Sequence, residues 1–247
     1  MKKPYLLVPI RECGEKMLAI PEDIFCLETP HIYVSQGAPY NEATPWMLRE
    51  SVLASLISAQ KQLSSIKPGW KIKLADAYRP LSVCKFMFDL AMQKEAMAMG
   101  LDFQNLSKEE TQMLEEKVLY FWAWPNDNPL TPPPHSTGAA IDCTLADEAG
   151  SEIDMGSRVD DTNEKALPNF FLNATDAASK HYHSMRQLLK TVLETNGFTQ
   201  HPNEWWHFSK GDQLAVWVKN QIALQNGTIL KDSKDSFAIY GRVDTPF

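Results

Sequence analysis

HSTGAAID, His135 to Asp142, and EWWHF, Glu204 to Phe208, are the two stretches from which the rest of the chain is read. Together they hold two imidazoles and one carboxylate of metal-ligand type, with a second carboxylate three residues ahead of the last imidazole. Zinc that does chemistry takes three protein N or O ligands and leaves a position for water, whereas structural zinc is closed by four ligands rich in cysteine. His135, Asp142 and His207 fill the first description. A bound metal lowers the pKa of water to about 7, but attack on an amide also needs a base that takes the proton and passes it to the leaving amine. Glu204 is placed for that work.

The spacing restricts the local geometry. Residues an odd number apart on a straight strand point to opposite faces, and both offsets, seven for His135/Asp142 and three for Glu204/His207, are odd. Neither motif is therefore one flat strand with both groups facing a metal. Gly138 supplies a bend after His135, leaving Ala139 to Leu145 as a strand that carries Asp142 and turns Cys143 away. Pro202 and Asn203 put Glu204 at a turn, with Trp205 to Ser209 entering a strand that presents His207. Taken singly, an Asp in an apolar run or a His among aromatics reads as a satisfied core group. Taken jointly, with an acid at the right offset, they read as a site.

Around these motifs the chain alternates helices and strands. Met47, Val52, Leu53, Leu56, Ile57 and Leu63 fall near helical spacing, predicting an amphipathic helix over 46–66 opened by Thr44-Pro45. Trp70 to Ala75 alternates as a half-buried strand and delivers Asp76, Tyr78 and Arg79 to its end. Helices are predicted over 82–99 and 108–122, the second opened by the capping box Ser107-x-x-Glu110. Met87, Met92, Met97 and Met99 are expected to fill core, and Phe121, Trp122 and Trp124 to form a packed aromatic cluster ahead of the proline-rich connector that aims His135. Further helices are predicted over 174–196, closed by Gly197, and over 212–225. His31, His181 and His183 are expected to be structural or surface residues. Gly227 to Phe247 read as a tail with at most one strand, which says nothing of function.

The motifs resemble the D-alanyl-D-alanine dipeptidase family of zinc peptidases, and more distantly the zinc D,D-carboxypeptidases and the Hedgehog signalling domain. The family pattern Ser-x-His-x-x-Gly-x-Ala-x-Asp is matched at His135, Gly138, Ala140 and Asp142, with Pro133 in place of the leading Ser; Glu-x-Trp-His is matched throughout by Glu204 to His207. Asp76 to Pro80, DAYRP, resembles the family's Asp-Gly-Tyr-Arg-Pro, which implies that Arg79 stabilises the transition state. Met155 to Asp160, MGSRVD, resembles Met-Gly-Ser-x-Phe-Asp, which implies that Asp160 holds the substrate's ammonium group, with Asp154 as the alternative. The family's early Tyr-Ala-Thr segment is not visible unless the region around Tyr33 is a diverged version of it, and Tyr33 is given no role.

The resemblance implies an α+β fold, a central antiparallel sheet covered by helices, with one Zn2+ per chain and hydrolysis of D-alanyl-D-alanine. The alternatives are a D,D- or L,D-carboxypeptidase on longer cell-wall peptides, or a domain that binds zinc without catalysis. Pro133 offers neither a hydroxyl nor a backbone donor, so the substrate is less tightly implied than the chemistry.

Composition agrees with a small-molecule enzyme. The 247 residues, 44% hydrophobic and 22% charged, suffice for one large domain. Residues 1–45, punctuated by five prolines and glycines between Pro21 and Pro45, read as an arm packed on a single peptidase domain, 46–247. A net charge of −7 and a pI near 5.4 argue against nucleic acid or an anionic membrane as partner. No apolar stretch of membrane-spanning length occurs, and the basic start Met1-Lys2-Lys3 is not followed by a signal-like apolar run, so a cytoplasmic location is expected. The four scattered cysteines are expected to be free thiols.

Overall fold

A computed structural model describes residues 3–121, 125, 127–161, 163–227 and 236–243. Five strands form the sheet that matters for the site, in the order β2 (Cys26–Leu27), β4 (Lys71–Asp76), β5 (Ala140–Ala146), β7 (His207–Ser209), β6 (Thr199–Gln200). All neighbours are antiparallel except β2, which runs parallel to β4. A parallel pair needs a crossover, usually through a helix. Here the chain leaves β2, passes a one-turn helix α1 (Ile32–Ser35) and a strand β3 (Met47–Arg49), and returns through α2 (Glu50–Ile66). The fold is the expected α+β arrangement with a parallel edge added. A separate two-stranded ribbon pairs β1 (Met17–Ala19) with β3.

One face of the sheet holds the core. Ile72 and Leu74 of β4, Ile141, Cys143 and Leu145 of β5, and Phe208 of β7 pack with Val52, Leu56 and Leu63 of α2 and with Leu189, Val192 and Leu193 of α5 (Ala177–Thr195). The period-two alternation of β4 and the helical spacing in α2 are what permit this: each element has one apolar side to bury. Two further helices, α3 (Leu81–Ala98) and α4 (Lys108–Phe121), close a satellite cluster of Phe88, Met92, Leu114 and Val118. The last, α6 (Gln213–Gln225), packs on a 3-10 turn at Pro4–Leu7 through Tyr5, Leu214 and Val218.

The structure departs from the sequence expectations at several points. Residues 47–49 are strand rather than the first turn of a helix, because Met47, Leu48 and Arg49 are all buried, leaving no solvent side, and their backbone pairs with β1. Met97 and Met99 are exposed, since α3 ends just beyond Ala96, where its buried stripe stops. The aromatic cluster predicted at Trp122 and Trp124 lies outside the described residues. Of the tail, residues 236–243 are tied in: Ala238 bridges to Ile10, and the Val243 N–H donates to the Ser136 carbonyl at 2.9 Å. All four cysteines are unpaired. Among the described residues, no helix is long and apolar enough to cross a membrane.

Candidate metal and active site

Three strands contribute one row of side chains. Asp76 of β4 stands opposite Asp142 of β5, and Asp142 stands opposite His207 of β7. Directly opposed residues share a face of the sheet, and Cys143, one step on, faces the core. Asp76 reaches this row only because of a bulge. Leu74 pairs with Cys143, and the extra residue Ala75 shifts the register so that Asp76 meets Asp142. Without it, simple alternation would put Asp76 on the core side with Leu74.

His135 arrives from outside the sheet. It sits in a 3-10 turn, Pro134–Thr137, ended by Gly138 at φ 69° and ψ 20°. That left-handed conformation suits glycine, and a Cβ here would also collide with the Met17 thioether. The turn is held on several sides: the Arg49 N–H donates to the Gly138 carbonyl, the Arg49 Nε to the Thr137 carbonyl at 2.9 Å, and the Ser136 hydroxyl to the Arg79 carbonyl at 2.8 Å.

The three groups converge. His135 Nε2 lies 3.2 Å from His207 Nδ1 and 3.2 Å from Asp142 Oδ2, and His207 Nδ1 lies 3.0 Å from Asp142 Oδ1. The other nitrogen of His135, Nδ1, is 2.7 Å from the Ala77 carbonyl, which only accepts, so the His135 proton sits on Nδ1. Nε2 therefore presents a lone pair toward a carboxylate oxygen. Two acceptors face to face at that separation need a proton or a metal cation between them. Ligands at about 2.0–2.2 Å from a tetrahedral zinc lie about 3.3–3.6 Å apart, a few tenths of an ångström wider than the 3.0–3.2 Å sides of this triangle. Among the described residues it is the one cluster of three such groups found.

Electrostatics support the arrangement. Burial works to raise the Asp142 carboxyl, but His135 and then His207, when protonated and donating to it, hold it well below the usual carboxylate range. Arg79 donates from Nε to Asp76 Oδ2 at 2.6 Å and from Nη2 to Asp142 Oδ2 at 3.3 Å, so a single guanidinium ties two members of the row. In the Arg79–Asp76 ion pair Asp76 is buried and Arg79 largely so. Glu204, at the turn before β7, keeps 31% of its side-chain exposure and places Oε2 3.8 Å from His207 Nδ1. That gap is too long for a direct hydrogen bond. Loss of solvation raises the Glu204 pKa, partly offset by His207.

Asp160 faces the same cleft, of about 760 Å³, as Arg79, His135, Asp142, Glu204 and His207. Its φ is 64°, a strained backbone for a residue with a side chain. Desolvation, and then the Asp142 charge, push its pKa up to about 6 against the pull of Arg79 and Tyr33. Asp154 is exposed, accepts from the Gly156 N–H at 2.8 Å, and is not on the cleft wall. Pro133, standing where a Ser was looked for, does line the cleft.

Two residues near the site were not legible as such. The Tyr33 hydroxyl donates to Asp160 Oδ2 at 2.8 Å, while its ring lies 4.8 Å beneath the Arg79 guanidinium. His31 takes the structural rather than the surface place of the two expected for it; its Nδ1 accepts from the Tyr33 and Val34 N–H groups, which leaves the Nε2 proton for Asp76 Oδ1 at 3.0 Å. His201 adds a ring 5.5 Å from that of His207. His181 is exposed on α5, as expected.

The profile of a peptidase family described as D-ala-D-ala dipeptidase (Peptidase_M15) matches residues 29–226. The chain is 41% identical over 248 residues to a D-alanyl-D-alanine dipeptidase of Synechocystis sp., spanning 98% of this chain and 97% of that protein. It is 27% identical over 169 residues to a D-alanyl-D-alanine dipeptidase of Enterococcus faecium, 65% of this chain and 72% of that one. Among solved structures, a vancomycin-resistance D,D-pentapeptidase VanY in complex with Zn(II) aligns with 90% of this chain and 94% of its own at 13% identity and a TM-score of 0.43.

Proposed function

The chain belongs to the D-ala-D-ala dipeptidase family of peptidases, and from that premise we propose that it is a zinc-dependent dipeptidase hydrolysing D-alanyl-D-alanine to two D-alanines. One observation carries the reading. Three ligand atoms converge within 4.8 Å of one another, and the Glu204 carboxylate stands 3.8 Å from one of them in the same cleft.

His135 through Nε2, Asp142, and His207 through Nδ1 would hold one zinc per chain. When bound, the metal supplies an acidified water and polarises the scissile carbonyl. Glu204 takes the proton released as water adds to the carbonyl carbon. It returns that proton to the amide nitrogen as the C–N bond breaks, leaving one free carboxylate and one free amine. A carboxyl with a raised pKa suits both halves of this exchange. Arg79 offers donors where negative charge builds on the carbonyl oxygen; its contacts with Asp76 and Asp142 fix it beforehand, so nothing has to reorganise during the reaction. Asp160 receives the substrate's ammonium group.

The same premise supports treating residues 1–45 as an arm of a single domain spanning 46–247, since the arm's Phe25 is in the main core and β2 in its sheet. A cytoplasmic role in cell-wall peptide turnover is also proposed, supported by four unpaired thiols. No role for nucleic acid or membrane is assigned, in keeping with the acidic charge.

The test offers D-Ala-D-Ala, L-Ala-L-Ala and N-acetyl-D-Ala-D-Ala to protein of measured zinc content. Cleavage of the free D,D-dipeptide alone is expected, because acylation removes the ammonium that Asp160 would hold. Faster cleavage of the acylated substrate would favour a carboxypeptidase, and no cleavage with zinc bound would leave a binding domain.

A further inference from the structure

A free dipeptide carries charge at both ends, and the groups placed so far account for one. Taking a carboxylate out of water without a partner is strongly unfavourable, so a site that accepts the zwitterion needs a cation on the leaving-group side. Among the described residues that line the cleft, two carry a fixed positive charge, Arg79 and Lys3. Arg79 is committed to Asp76 and Asp142 and stacks on the Tyr33 ring, whose hydroxyl meets Asp160. It belongs to the ammonium side.

Lys3 lines the same cleft, next in sequence to Pro4 and Tyr5 and near enough to Glu204 and His201 to act on their charge. Its position is built rather than accidental. The Lys3 carbonyl accepts from the Leu6 N–H at 3.1 Å to open the 3-10 turn Pro4–Leu7, and Tyr5 of that turn is buried against Leu214 and Val218 of α6. Gln213 Nε2 clamps the turn by donating to the Val8 carbonyl at 2.6 Å. Among the described residues no carboxylate lies within ion-pair distance of the Lys3 ammonium, although Glu204 is near enough to act on its charge.

We infer that Lys3 binds the C-terminal carboxylate of the substrate, which makes the amino-terminal turn a wall of the leaving-residue pocket and Lys3 a specificity-determining residue. This rests on the dipeptidase reading above. Loss of solvation lowers the Lys3 pKa, with Glu204 opposing.

The test compares wild type, Lys3→Met and Lys3→Arg on D-Ala-D-Ala and on its C-terminal amide. A charge-assisted hydrogen bond lost from a partly desolvated site lowers kcat/KM about 10-fold to 100-fold. That loss is expected for Lys3→Met on the free acid, chiefly through KM, while the amide is cleaved as by wild type and Lys3→Arg keeps most of the preference for the acid. If Lys3→Met leaves the acid-to-amide ratio of kcat/KM within about twofold of wild type, the inference is overturned while the dipeptidase reading stands. If wild type cleaves neither compound, the dipeptidase reading fails and the carboxylate anchor with it.

Discussion

Nε2 of His135 and Oδ2 of Asp142 face each other at 3.2 Å, both as acceptors, because the His135 proton is committed to the Ala77 carbonyl. A cation relieves that repulsion, so metal binding and folding are coupled here. Saturation about 1,000-fold above Kd stabilises a fold by about 4 kcal/mol. In a domain of this size each kcal/mol moves Tm by about 2–4 °C. Stripping the protein with a chelator is thus expected to lower Tm by about 8–16 °C, and added zinc to restore it. Thermal scans of stripped and reconstituted protein check this; an unchanged Tm would contradict it.

Arg79 bridges two carboxylates with two different nitrogens, Nε to Asp76 and Nη2 to Asp142. A lysine is a point charge and cannot span both. Arg79→Lys is expected to lose about 10²–10³ in kcat with zinc still bound, as when an oxyanion donor is removed. Steady-state kinetics beside metal analysis would decide it, and near-normal kcat would exclude Arg79 from the transition state.

Asp160 carries a pKa raised to about 6 from 3.8. The sign follows directly. A carboxyl raised on folding favours the fold while protonated, and that contribution is lost as pH rises through the folded value, so ionised Asp160 is a cost above pH about 6. The ionised form is the one that holds an ammonium. KM for the dipeptide is therefore expected to climb about tenfold per pH unit below about 6. Asp160→Asn should abolish that limb, raise KM at neutral pH, and leave the fold at least as stable above pH 6. A KM independent of pH down to 5 in wild type, or a destabilised Asp160→Asn protein, would remove the assignment.

Much of the site was legible because its chemistry is bound to short spacings. The odd offsets in HSTGAAID and EWWHF required a bend before Asp142 and a turn before His207, and Gly138 and Pro202-Asn203 supplied them. What could not be read is what depends on register and on distant packing. Asp76 joins the row through a bulge at Ala75, which no residue type announces. Tyr33 and His31 come to Arg79 and Asp76 from a one-turn helix separated from them by more than forty residues and by a second strand ribbon. Met47 to Arg49 fit a helical pattern as well as a strand, and only the partner β1 decides between them.

Gly138 makes the His135 turn possible. Gly138→Ala would place a Cβ at φ 69° against Met17. Strain and overpacking together are expected to cost about 1–3 kcal/mol. Because His135 rides on the same turn, zinc affinity should fall as well. Tm and zinc titration report the two effects separately, and a variant with wild-type values in both would show that the turn tolerates a side chain.

The most direct measurement takes Glu204→Gln, which keeps size and shape but cannot accept the water's proton, and determines zinc content and D-Ala-D-Ala turnover on the same sample. The account predicts one zinc per chain and a kcat lowered by about 10²–10⁴, the range a general base contributes. Normal turnover by a zinc-loaded Glu204→Gln protein would contradict it.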